Sequence, residues 1–281
     1  MKSKIAEAIR CAHHPVALSF SDEKPAKSIQ FAKGKWGCVM WLYAAAAKGR
    51  TAVADVETYG CIGGGVGLGF GNQYESWPGG IECFYYFLST GNEQWEKGRE
   101  AADGVKRYLR DESFDNFVRG ERYIKSPELV EKFVANLPIM EVPTRYVVFS
   151  PLEALDEADE VDERGRPELV IFTVPPDQLS ALVILANYAR ETSDNVIIPH
   201  AAGCQTLGIL ALREARSDPQ RAVVGLTDLS ARAQVNKRLG PNLMTFAVPW
   251  KMFEEMESNV EGSFLERPLW KSIIESWSSD K

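Results

Sequence analysis

Residues 169–187 read LVIFTVPPDQLSALVILAN. A short apolar run meets two prolines, after which Leu179, Leu182, Val183 and Ala186 recur at helical spacing. A run of this length is a buried strand, and proline is tolerated in the first helical turn because its missing N–H would have no partner there. The segment therefore reads as a strand turning directly into a core-facing helix. The phrase recurs as RYVVFSP at 145–151 and LMTFAVP at 243–249, giving three strand-to-helix units. PVALSF (15–20), TAVAD (51–55) and VVGL (223–226) add strands. The prediction is an α/β (or α+β) fold with one or more mixed sheets.

Working outward, residues 36–48 are rich in helix formers and stop at Gly49, and YGCIGGGVGLGFGN follows at 59–72. Residues 41–70 lie on 184–213 without a gap, pairing Leu42, Ala46, Val53, Gly60, Cys61 and Gly65 with Leu185, Ala189, Val196, Gly203, Cys204 and Gly208. The order strand, helix, strand, Gly-Cys, helix is the same in both. A duplicated βαβ-type unit accounts for this, with chance similarity between two such units as the competitor. The halves are 1–155 and 156–281, with repeat cores near 1–72 and 166–256.

Residues 73–144 read as an inserted helical and aromatic module. In it ECFYYFLSTG is strand-like, the next twenty residues form a helix broken near Gly104, and Ser126-Pro127 starts a helix ending near Ala135. The acidic run 156–168 is expected to be a solvated loop at the boundary. The segment 267–279 reads as an amphipathic helix packing by Leu269, Trp270, Ile273, Ile274 and Trp277, or serving a homo-oligomer contact instead.

The 281 residues carry a formal charge of −7, and no Lys/Arg run occurs. Such a surface repels phosphate backbones, so nucleic acid is not an expected partner. No apolar stretch is long enough for a bilayer, and the N-terminus reads as an amphipathic helix rather than a signal peptide. A cytoplasmic protein with a small-molecule partner is expected. The five cysteines, at 11, 38, 61, 83 and 204, are odd in number and widely spaced, as reduced thiols would be.

A cysteine just before a helix lies beside backbone N–H groups and the positive helix end, which favour thiolate. Cys38, Cys61 and Cys204 are thus candidate ligands of an iron–sulfur cluster or another metal; three thiolates would leave one iron open to a small molecule. The same cysteines also read as small buried hydrophobes. Gly60, Gly63, Gly64 and Gly65 lack the dinucleotide and phosphate-loop spacings, and serve either a ligand cradle or close helix packing. His200, four residues before Cys204, is a candidate ligand or base, otherwise a loop histidine. Arg232 is a candidate partner for a substrate carboxylate, with Asp228 as a helix N-cap. Three functions follow: a cysteine-ligated metal protein, a small-molecule or anion sensor without catalysis, or a thiol enzyme with Cys61 as nucleophile and His200 as base. No reaction is legible, and whether the chain is an enzyme stays open.

The opening PVAL strand, the Cys38 helix, GCIGGGVGLGFG, the strand-Phe-Pro phrase and AAGCQ together resemble the uncharacterised ArCR family (domain of unknown function 169) from about residue 10 to 256. The strongest part is Gly60, Cys61, Gly63 and Gly64; Ile62 stands where the family usually has proline. The resemblance implies that Cys38, Cys61 and Cys204 are characteristic positions, and it supplies no reaction.

Overall fold

The computed structural model describes residues 1–109, 111–155 and 166–277. A seven-stranded mixed sheet organises the chain: β1 (Val16–Ser21), β2 (Ala52–Ala54), β3 (Tyr146–Pro151), β4 (Leu169–Val174), β5 (Val196–Ile197), β6 (Ala222–Gly225) and β7 (Met244–Pro249), in the order β2-β3-β1-β4-β7-β6-β5. Every neighbouring pair is antiparallel except β5 and β6. β1 and β4 pair at the centre, Ala17 opposite Val170, joining the two halves.

Each half is a split βαβ unit. β1 leads through α2 (Val39–Ala46) to β2, and β3 fills the gap between them. β4 leads through α8 (Pro176–Asn187) to β5, with β7 and β6 between. After each unit comes a Gly-Cys turn and a short helix, α3 (Ile62–Gly67) in the first half and α9 (Gly203–Leu207) in the second. The remaining helices around the sheet are α1 (Lys4–Ala8), α10 (Ile209–Ala215), α11 (Leu229–Leu239), α12 (Trp250–Ser258) and α13 (Pro268–Ser276).

β4 is buried at all six positions, which explains its unbroken apolar run. Val170, Phe172 and Val174 share one core with Phe246, Val248, Leu182, Phe253, Ile5 and Trp270, so α1, α8, α12 and α13 cover that face. The alternate residue Thr173 is hydrogen-bonded to the Tyr43 hydroxyl at 2.5 Å, placing α2 on the opposite face. Burying a phenylalanine such as Phe172 or Phe246 contributes about 2–3 kcal/mol.

Residues 71–140 form a second compact unit, apart from 1–70 and the chain from 141 onward. It holds α4 (Ile81–Leu88), α5 (Glu96–Val105), α6 (Asp111–Arg119) and α7 (Pro127–Ala135). The strand expected in ECFYYFLSTG is the helix α4. Its aromatic residues favour strands by propensity, but Trp77 packs on Phe84 (4.9 Å between centroids) and on Phe87 (5.0 Å), a helical spacing. The break near Gly104 is real, since α5 ends at Val105.

Two further expectations change. The strand β3 runs into a single 3₁₀ turn, Leu152–Ala154, rather than a helix. In α13, Trp270 and Ile274 are buried, whereas Leu269 is 74% exposed. Most of the acidic run, 156–165, lies outside the described residues. No helix among the described residues is long and apolar enough to cross a membrane.

Candidate functional site

Each of Cys38, Cys61 and Cys204 directly follows a glycine; Cys11 and Cys83 follow Arg10 and Glu82. None of the three glycines has room for a Cβ. At Gly60, held at φ +85°, it would lie 2.2 Å from the Gly37 carbonyl oxygen; at Gly37 it would meet the Phe31 ring at 2.4 Å. At Gly203 it would meet the Ala231 methyl at 2.6 Å and the Met40 sulfur at 3.0 Å. The Gly-Cys dipeptides are therefore contact points between segments. This shared pattern identifies Cys38 from the sequence even though Ala181 stands at its place in the repeat.

The glycine-rich α3 completes the assembly. It packs on α9, with no space for a Cβ on Gly67 against Cys204 (2.7 Å to its carbonyl carbon) or on Gly208 against the Gly67 oxygen (2.0 Å). Close packing is thus the role of Gly67 and Gly208. Gly64 is equally tight against Val39 at 2.5 Å, whereas a Cβ on Gly63 would meet nothing within 4 Å.

Cys38 is the N-cap of α2 and Cys61 the N-cap of α3, while Cys204 is the second residue of α9. The Gly64 N–H donates to Cys61 Sγ at 3.3 Å, and Cys204 Sγ donates to the Gly63 carbonyl at 3.1 Å. Both sulfurs thus contact one peptide group. With C=O and C–N bonds of about 1.2 and 1.3 Å, they lie within about 9 Å of each other. Cys38 belongs to the same cluster, because Cys61 raises its pKa and both it and Cys61 raise that of Cys204.

The thiols are not activated as the helix N-termini led us to expect. Burial pushes Cys38 up to about 12, and the charges of Cys61 and Asp228 add to it, against the Met40 N–H and Arg238. Burial also raises Cys61, although the N–H groups of Gly64 and Val39 act in the expected direction. Cys204 is raised well above the ordinary thiol range by burial, then by Cys61, Cys38 and Asp228. A cysteine nucleophile needs the opposite shift, which disfavours the thiol-enzyme reading.

Asp228 is the site residue whose reach the sequence underplays. It is 7% exposed, caps α11 by accepting from the Ala231 N–H at 2.6 Å, and also accepts from the Gly203 N–H at 2.6 Å. One carboxylate therefore ties the Cys204 helix to α11. The opposite part of α11 holds the Cys38 helix: Trp41 Nε1 donates to Gln234 at 2.9 Å, and Arg238 lies 4.2 Å from the Trp41 ring centroid. Asp228→Ala leaves two N–H groups without their acceptor and is expected to cost about 2 kcal/mol in urea unfolding, with Asp228→Asn less affected.

The other candidates are placed as follows. His200 is exposed and lowers the pKa of Asp228, itself raised chiefly by burial. Arg232 turns its guanidinium to the Leu243 carbonyl and the Met244 sulfur. Gly65 is buried inside α3. Among the described residues, no three or more histidine, cysteine, aspartate or glutamate side chains are grouped to hold a metal ion. Tetrahedral thiolate ligation of one ion, at about 2.3 Å per bond, needs sulfurs about 4 Å apart.

Neither the curated proteins nor the solved structures compared with the chain gave a match. The family model for uncharacterised ArCR proteins matches residues 4–259, which takes in both halves and all three Gly-Cys turns. The chain belongs to the uncharacterised ArCR family, domain of unknown function 169.

Proposed function

We propose that Cys38, Cys61 and Cys204 are the protein ligands of an iron–sulfur cluster with one iron left open to a small molecule. The observation that carries this reading is the set of three interlocked Gly-Cys turns, which bring thiols from remote parts of the chain within one another's electrostatic reach. A cluster would offer a separate iron to each thiolate, so its ligands can stand farther apart than those of a single ion. The Gly64 N–H on Cys61 is the kind of bond that supports a sulfur ligand. The raised thiol pKa values favour neutral thiols before loading, so cluster uptake releases protons and strengthens as pH rises.

The test is anaerobic reconstitution with iron and sulfide, followed by metal analysis and a visible spectrum. The expected result is absorbance near about 400 nm and about four irons per chain, lost in Cys61→Ala and Cys204→Ala but kept in Cys11→Ala. A colourless, iron-free product that remains folded removes this reading and leaves the small-molecule sensor.

A further inference from the structure

The helices α4 and α7 carry acidic and aromatic residues at the spacing that places them on one helix face. On α4 these are Glu82, Tyr85 and Tyr86, and on α7 Glu128 and Glu131. The buried residues of α4, Cys83 and Phe84, leave this set free to line the surface. The two helices pack together, and both contribute to two cavities. The narrower, about 240 Å³, is lined by Glu82, Tyr86, Trp95 and Glu128. The wider, about 440 Å³, has Ile81, Val134, Leu137 and Ile139 as apolar walls, with Asn72 beside them. Tyr85 and Glu131 line both cavities, so the two meet across these side chains as one groove. All of it lies within the compact unit 71–140.

The rings are fixed in advance. Tyr86 stacks on Trp95 with centroids 4.6 Å apart, and Trp95 Nε1 donates to Asn92 at 3.3 Å. Asn92 is itself tied down, donating to the Cys83 and Phe117 carbonyls at 3.0 Å. A wall held in this way loses little freedom when a ligand arrives.

The charges lining the groove have one sign, being those of Glu82, Glu128 and Glu131. The Glu131 side chain has no hydrogen-bond or ion-pair partner among the described residues. Glu82 meets Lys97 at 3.5 Å, with both ends in water, which is a weak pairing. After burial, Glu131 and then Glu82 raise the Tyr85 pKa, so both carboxylates act on its hydroxyl. The wider cavity adds a neutral acceptor. Asn72 Nδ2 donates to Glu75 at 3.2 Å, while its Oδ1 is buried without a hydrogen-bond partner. A buried acceptor of this kind is normally answered by a donor.

We infer that the groove binds a linear aliphatic polyamine. Its ammonium groups pair with the carboxylates of the narrow cavity and lie against the tyrosine and tryptophan rings. Its methylenes run along the apolar walls of the wide cavity, and an N–H farther along the chain donates to Asn72 Oδ1. A metal ion would make no use of the rings, and a monoamine has no second ammonium for the far acceptor.

The experiment is calorimetric titration of the full chain with spermidine at low ionic strength. Iron-free protein serves, so the outcome is independent of the cluster reading. The expected result is saturable binding of one spermidine per chain, weakened by added salt and at least about tenfold weaker when Glu128→Gln and Glu131→Gln are combined. Both glutamates are exposed, and the circular dichroism spectrum of the double variant should match wild type. Tyr85→Leu, which keeps bulk and removes the ring, should weaken binding by about fivefold. Unchanged affinity in the double variant, or no saturable heat with wild type, overturns the site. Hexylamine binding as tightly as spermidine overturns the polyamine assignment. Full displacement of spermidine by Mg²⁺ at matched ionic strength overturns it in favour of a diffuse acidic patch.

Discussion

Gly67→Ala is expected to destabilise the protein by about 3 kcal/mol, near the upper end of overpacking costs. The added methyl would lie 2.7 Å from the Cys204 carbonyl carbon and 2.8 Å from its Cβ and Sγ. A carbonyl carbon cannot swing aside like a side-chain end. The methyl is accommodated only if α3 and α9 separate, and that separates Cys61 from Cys204. Denaturant unfolding should show a lower midpoint with an unchanged slope, and melting should fall by about 8 °C. The control is Gly63→Ala, four residues earlier in the same helix. Its methyl meets nothing within 4 Å, so the helix-forming preference of alanine acts alone and stability holds or rises by up to about 1 kcal/mol. Equal effects at the two positions would show that the glycines serve no packing role.

Glu214→Gln is expected to cost about 2–3 kcal/mol at neutral pH and almost nothing in acid. The Glu214 side chain is 1% exposed and receives Arg221 at 2.8 Å and Arg213 at 2.9 Å, linking the end of α10 to the approach to β6. Burial alone would raise its pKa, but hydrogen bonds from Arg221 and Arg213 outweigh that, and the carboxyl sits below the ordinary value of 4.5. A depressed carboxyl pKa contributes stability that is fully present above the unfolded value and is lost as pH falls through the folded one. The stability curves of wild type and variant should therefore be separated at pH 7 and converge below about pH 4.5. Both arginines are well exposed and can return to water, which keeps the cost below that of a fully buried pair. Parallel curves across that range would mean that Glu214 acts through shape rather than charge.

The elements that the sequence reveals are those whose cause is local. β4 is legible because all six residues are buried, and α8 because Pro176 and the leucine spacing mark its start and its inner face. α4 is not, because Phe84, Tyr85, Tyr86 and Phe87 have strand-forming side chains, and only tertiary packing against Trp77 selects the helix. The sheet order is equally hidden. β3 enters between β1 and β2 from beyond residues 71–140, and nothing local in RYVVFSP specifies its neighbours. Within the site, the alignment of the two Gly-Cys turns points to Cys61 and Cys204 as a pair, and the N-cap role of Asp228 follows from its place before α11. The second bond of Asp228, to Gly203, joins residues 25 apart and is visible only in three dimensions. Arg232 is a candidate partner for a substrate carboxylate on its charge, and its guanidinium also contacts the Leu243 carbonyl and the Met244 sulfur at the start of β7. A charge in a helix has no local mark that tells these two uses apart.

The amide linking Gly63 and Gly64 has one polar end toward each sulfur, and its two ends differ. Its oxygen receives a hydrogen from Cys204, while its nitrogen offers one to Cys61. Two cysteines at aligned places after matching Gly-Cys turns are thereby made unlike: one is held as a donor, the other as an acceptor. The two turns look alike in sequence, and a single plane of six atoms lying between their sulfurs gives them different work.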